Sequence, residues 1–187
     1  MNKGNFKLLI CKEVFFPYGD TANIVKRIWC KYIRPESNAV YLIRKYQYLI
    51  QCESTLKKIR GKFLEIKLLK KYGIYVHPKA EIGEGLRIYH PHGIFITNVK
   101  IGKNFTVFQN CTLGVKNIEE FAREQCPHLG DGVTMYANST IIGPVSVADN
   151  VQIAGNACLV RDAKEEGTYV GVPARRVMRK RNNERRV

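Results

Sequence analysis

The sequence of 187 residues predicts a mainly β protein, a parallel β-helix of six-residue turns preceded by an α-helical region. Two observations predict the β-helix. Aliphatic side chains recur every six positions at Val76, Ile82, Ile88 and Ile94, then after a one-residue slip at Ile101, Val107 and Leu113; after a loop they return at Leu129, Met135, Ile141, Val147, Ile153 and Leu159. The fourth residue after each is mostly small or apolar, as at Ala80, Leu86, Phe105, Cys111, Val133, Ser139, Val145, Val151 and Ala157, with Gly, Asn or Asp between. A period of six fits neither an amphipathic helix at about 3.6 nor an alternating strand at about 2. It fits a coil of short strands and tight turns that buries one aliphatic side chain per face.

The third observation is the helical patterning ahead of the repeat. The first residues, including Phe15-Phe16-Pro17-Tyr18-Gly19, read as an irregular lead-in. Asp20 or Thr21 caps a helix to about Tyr32, with Ile24, Ile28 and Trp29 on one face. Arg34-Pro35 breaks it, because the residue before a proline is pushed out of the α region. Glu36-Ser37-Asn38 opens a second helix that runs to about Gln51. Ser54 caps a third, ended by Gly73, with Leu56, Ile59, Phe63, Ile66 and Leu69 expected inward and its lysines outward. The division expected is a helical region at 1–72, a β-helix at 73–176 and a basic tail at 177–187. A loop at 115–128 interrupts the coil, and an insertion that leaves a solenoid suits a binding face.

With 45% hydrophobic residues the chain can bury a core, and no apolar run approaches the ~20 residues of a membrane span. Leu8-Leu9-Ile10 is too short for a signal peptide. Six cysteines without paired spacing fit reduced thiols in the cytoplasm. A net charge of +15 points to nucleic acid, an anionic membrane face or a polyphosphorylated ligand. Nucleic acid is set aside because the basic stretches lack interleaved aromatics or a recognised module. Peripheral contact of the basic third helix with a membrane surface stays open.

Tyr72-Gly73-Ile74-Tyr75-Val76-His77-Pro78, Ile88-Tyr89-His90-Pro91-His92-Gly93-Ile94, Cys111-Thr112-Leu113-Gly114 and Gly171-Val172-Pro173-Ala174-Arg175 resemble the left-handed β-helix acyltransferases of the serine acetyltransferase type. The stretch Cys126-Pro127-His128-Leu129-Gly130-Asp131-Gly132-Val133 is closer to members that O-acetylate sugars and capsular polysaccharides. The resemblance covers residues 70–180. It implies a homotrimer with acetyl-CoA and acceptor bound in clefts between neighbouring β-helices, and no metal. It places His90 as the general base, a role suited to a group that titrates near neutrality. His77 matches a structural His-Pro, His92 takes a normally inward repeat position, and His128 reads as a surface residue. A zinc hydratase needs three convergent histidines, and only His90 and His92 alternate.

The acceptor site implied by the resemblance holds Tyr75, Tyr89, His92, Gln125 and Cys126. Tyr75 and Tyr89 stand where serine acetyltransferases carry aspartates, and Gln125-Cys126 replaces an Arg-His pair. Rings and an amide suit a carbohydrate hydroxyl, so a sugar or surface-polysaccharide acceptor is expected. For the donor, Gly114, Ala137 and Gly155 match positions along the pantetheine arm, while Arg161 and Arg175 match positions near the phosphates. The expectation is an acetyl-CoA-dependent O-acetyltransferase acting on a carbohydrate. Serine O-acetylation and a non-enzymatic β-helix scaffold are the alternatives.

Overall fold

The computed structural model describes residues 3–15, 23–117 and 125–177. The expected caps Asp20 and Thr21, most of the lead-in motif, much of the loop and nearly all of the basic tail lie outside these residues. The repeat forms a three-sided left-handed parallel β-helix. One face stacks β1 (Tyr75–Val76), β4 (Phe95–Ile96), β7 (Thr112–Gly114), β10 (Thr140–Ile142) and β13 (Cys158–Leu159). The second stacks β2 (Glu81–Ile82), β5 (Lys100–Ile101), β8 (His128–Leu129) and β11 (Ser146–Val147). The third stacks β3 (Arg87–Ile88), β6 (Thr106–Val107), β9 (Thr134–Met135), β12 (Gln152–Ile153) and β14 (Thr168–Val170), closed by the antiparallel β15 (Arg175–Val177).

Every third strand is a hydrogen-bonded neighbour because each coil turns through three faces. The thirteen six-residue positions named above are buried, apart from a half-buried Ile82, and the second apolar set is buried throughout. The corners are held by residues with positive φ. Asn104, Asn110, Asn138, Asn150 and Asn156 lie between 56° and 61°, a region asparagine tolerates because its side chain bonds locally. At Gly132, with φ of 69°, a Cβ would come within 2.4 Å of Asn150 Oδ1 on the next coil, so a larger residue cannot stack there.

The slip in the repeat is resolved by register. Val76 pairs with Ile96, and Ile96 pairs with Leu113, so Ile96 rather than Ile94 holds the strand position. Ile94 belongs to the second apolar set and is fully buried there. Between Tyr89 and Gly93 the chain carries His90-Pro91-His92, whereas the next coil carries only Gln109 between Phe108 and Asn110. The first coil therefore bulges by two residues at its third corner.

Ahead of the β-helix, α1 (Lys3–Leu9) runs into a π turn at Ile10–Val14, in a segment expected to be irregular. The next helix, α2 (Ile24–Ile28), is capped by Asn23, whose Oδ1 accepts from Lys26 N, and continues into a π turn at Trp29–Ile33. The hairpin of α3 (Pro35–Ile50) and α4 (Thr55–Tyr72) matches the expected second and third helices, and Gly73 closes α4 at φ 61°. The predicted inward face of α4 is a correction: Leu56, Ile59, Phe63, Ile66 and Leu69 are all exposed. The opposite face, with Gly61, Leu68 and Tyr72, is the buried one. Gly61 permits the close approach of α3, since a Cβ there would lie 3.2 Å from Ile50 Cγ1, and Tyr72 Oη donates to Asn38 Oδ1.

A buried ion pair ties these helices to the first coil. The Arg44 guanidinium donates to both Glu13 carboxylate oxygens at 2.8 Å, and to the carbonyls of Ile82 and Gly83. Glu13 Oε1 also accepts from the backbone N–H groups of Gly85 and Leu86. One apolar core runs from Ile10 through the helices into the coil as far as Ala174.

Candidate functional site

The two-residue bulge presents His90. Its backbone is in the left-handed region at φ 51°, its ring is exposed, and its carbonyl accepts from His92 N at 2.7 Å. A non-glycine residue held in this region costs local strain, which gathers at functional sites. The corner joins the third face to the first. On the third face, Tyr89, Phe108 and Tyr136 follow paired strand positions and stack ring on ring, with centroids 5.0 and 5.3 Å apart. The His90 ring stands 6.4 Å from that of Phe108.

Tyr75 lies on β1 of the first face, half-buried against Phe95. His92 is exposed rather than inward, with its ring edge-on to Tyr72; the bulge carries it out of the stacked register. Burial, with a smaller contribution from the Lys79 charge, holds the His77 imidazole below its ordinary value. Its Nδ1 accepts from Lys79 N, and the ring closes the turn after β1.

The remaining candidates divide among different edges of the coil. Ala137 and Gly155 stand on successive coils at the same corner as His90, linked by Asn156 N donating to Ala137 O. Both are at least partly exposed, and a Cβ on Gly155 would meet only the Ala137 carbonyl at 3.4 Å. Small residues here leave backbone reachable for an extended ligand. Gly114 is the buried last residue of β7, Arg161 follows β13 at the next corner, and Arg175 lies on β15 of the third face. Gln125 is exposed ahead of β8, while Cys126 is buried and lines, with Arg44, Lys79, Lys100 and His128, a cavity of about 840 Å³ against the second face. Within one chain His90 and Cys126 therefore stand at different edges.

Residues that sequence reasoning did not single out complete the surroundings of Tyr89. A cavity of about 240 Å³ opens between β3 and the start of α3. Val40, Leu86 and Ile88 form its apolar wall; Arg34, Arg87, Glu36 and Glu84 bring both signs of charge to it, and Tyr89 lines its side. Arg34 and Glu36 lie 3.5 Å apart and are only partly exposed. Gln109, one coil below the bulge, has a buried Oε1 with no hydrogen-bond partner among the described residues. Among those residues no three His, Cys, Asp or Glu side chains gather as a metal site.

The sequence is similar to serine acetyltransferases. That of Staphylococcus epidermidis is 37% identical over 102 residues, which are 54% of this chain and 47% of the relative. That of Helicobacter pylori is 34% identical over 110 residues, 58% of this chain and 63% of the relative. The chain thus spans about half the length of the first of these curated relatives. Among solved structures, the serine acetyltransferase of Neisseria gonorrhoeae superposes with a TM-score of 0.76 at 24% identity, covering 95% of this chain and 68% of that one. The chain is a left-handed hexapeptide β-helix, serine acetyltransferase-like in sequence and fold. A serine acetyltransferase solved in complex with CoA superposes at 0.71, with 23% identity and coverage of 94% and 71%. No family model matches the chain.

These relatives overturn the expected carbohydrate acceptor, because they are named for serine and not for a sugar or capsular unit. The expectation rested on the uncharged side chains at Tyr75, Tyr89, Gln125 and Cys126. The cavity beside Tyr89 also carries charges of both signs, from Arg34, Glu36, Glu84 and Arg87.

Proposed function

We propose that the chain is an acetyl-CoA-dependent O-acetyltransferase whose acceptor is L-serine, working as a homotrimer in the cytoplasm. The reading rests on the bulged corner. It aims an exposed histidine outward beside a small cavity with both signs of charge, on a chain similar to serine acetyltransferases over more than half its length.

In this reading His90 takes the proton of the serine hydroxyl as that oxygen attacks the thioester carbonyl. The tetrahedral adduct collapses, the carbon–sulfur bond breaks, and the CoA thiolate takes the proton back from the imidazolium. The products are O-acetylserine and CoA, so the histidine returns to its starting state. O-acetylation makes the serine oxygen a leaving group, which is its use in cysteine biosynthesis.

A zwitterion needs both of its charges matched, since an unpaired ion is costly to desolvate. Glu36 and Glu84 suit the ammonium group, and Arg34 and Arg87 suit the carboxylate. Tyr89 lines this cavity, and Tyr75 and His92 are assigned to acceptor binding with it by the resemblance. For the donor, Ala137 and Gly155 accept the pantetheine arm along exposed backbone, while Gly114, Arg161 and Arg175 serve the entrance and the phosphates. Gln125 and Cys126 act from a neighbouring chain. A three-sided prism bearing these groups at different corners completes its sites when three copies close a ring.

The test is direct. The purified chain with acetyl-CoA should release thiol in proportion to added L-serine, at a sedimentation coefficient of a trimer. Absence of serine-dependent release defeats the substrate reading, and a fully active monomer defeats the shared cleft.

A further inference from the structure

The face of α4 that points away from the protein combines apolar bulk with positive charge. Leu56, Ile59, Phe63, Ile66 and Leu69 fall on one stripe at helical spacing, and Leu56 and Phe63 are 75% and 66% exposed. Arg60 and Lys67 flank the stripe on one side, Lys58 on the other, and Lys62 and Lys70 lie within it. All five are exposed. The single acidic residue of the helix, Glu65, pairs with Lys62 at 2.8 Å and lies toward the packed side, with its side chain only 16% exposed. No helix among the described residues is long and apolar enough to cross a membrane.

We propose that this face of α4 docks on an anionic lipid bilayer. Exposed apolar residues edged by lysine and arginine suit a helix that lies in the interface plane, with its apolar stripe at the acyl boundary and its basic flanks among lipid phosphates. A second copy of α4 is a poor occupant of the same face. Apposing two such helices sets lysine rows against lysine rows with almost no carboxylate to separate them. The phosphate charge of a bilayer complements both flanks at once, and basic residues near such a surface add attraction that salt screens.

The experiment is co-sedimentation of the whole chain with vesicles containing roughly a third phosphatidylserine, against vesicles of phosphatidylcholine alone. Binding is expected on the anionic vesicles only, falling steeply as salt is raised. Changing both Leu56 and Phe63 to Ser should weaken it by roughly 10-fold or more. Charge reversal by Lys58→Glu and Lys67→Glu should weaken it further, by roughly 5-fold per site. Because these side chains are exposed, thermal stability, sedimentation coefficient and thiol release should stay unchanged. Failure to bind anionic vesicles at low salt overturns the proposal, as does equal binding by the substituted chains. Dissociation of the assembly on changing Leu56 and Phe63 overturns it too, by assigning the face to another copy of the chain.

Discussion

Replacing Arg44 by methionine should destabilise the chain more than any exposed substitution. The Arg44 and Glu13 side chains are 3% and 1% exposed, so the pair is sealed from water. Methionine fills most of the volume but leaves the Glu13 carboxylate buried with only the Gly85 and Leu86 amides, and orphans the carbonyls of Ile82 and Gly83. Removing one partner of a buried pair costs roughly 3–5 kcal/mol, because a charge is left uncompensated. For a chain of this size each kcal/mol moves the melting midpoint by about 2–4 °C, giving a fall of roughly 6–20 °C. Adding Glu13→Gln should recover part of the loss, because the stranded charge is then removed. The assay is differential scanning calorimetry with urea midpoints as a check. A fall under about 2 °C would show that the latch contributes little, as exposed pairs do. The same residues fasten the helices to the loop lining the small cavity, so the variant should also bind serine more weakly than it binds acetyl-CoA.

Other outcomes follow from particular contacts. Gly61→Leu should cost roughly 1–3 kcal/mol by urea unfolding, since the new side chain drives into Ile50 across the α3–α4 contact. Glu36→Gln should raise the KM for serine by roughly 10-fold with little change in kcat, the signature of lost ground-state binding. His77 should give an acid-side loss of stability. Its folded imidazole is held below 6.5, so as pH falls the unfolded chain takes up the proton first. Stability then declines from about pH 6.5 downward until folded His77 also protonates. His77→Gln should flatten that decline in urea midpoints, and an unchanged slope would exclude His77 as its source.

The coil was legible because a period of six leaves little else, and nearly every aliphatic position read from it is buried. The bulge was not, because Ile94 and Ile96 are both apolar and spacing alone chose the wrong one. The consequence matters for the site, since those two extra residues are what push His90 outward. On α4 the pattern offered two stripes, one with Leu56, Ile59 and Phe63, the other with Gly61, Leu68 and Tyr72. Hydrophobicity favours the first, but close packing at a glycine selects the second. Of the charged residues of the small cavity, Arg34 was read only as a helix break and Glu36 only as a helix start, because both are more than fifty positions from His90. The Arg44–Glu13 latch joins residues 31 positions apart, and no local period marks it.

In the proposed reaction His90 removes the proton from the serine hydroxyl. Its replacement by alanine, His90→Ala, is to be measured for turnover with saturating acetyl-CoA and L-serine, alongside CoA affinity by calorimetry. The expected result is a fall in kcat of roughly 10²–10⁴ with CoA affinity nearly unchanged. Full serine turnover by the variant would exclude His90 as the base.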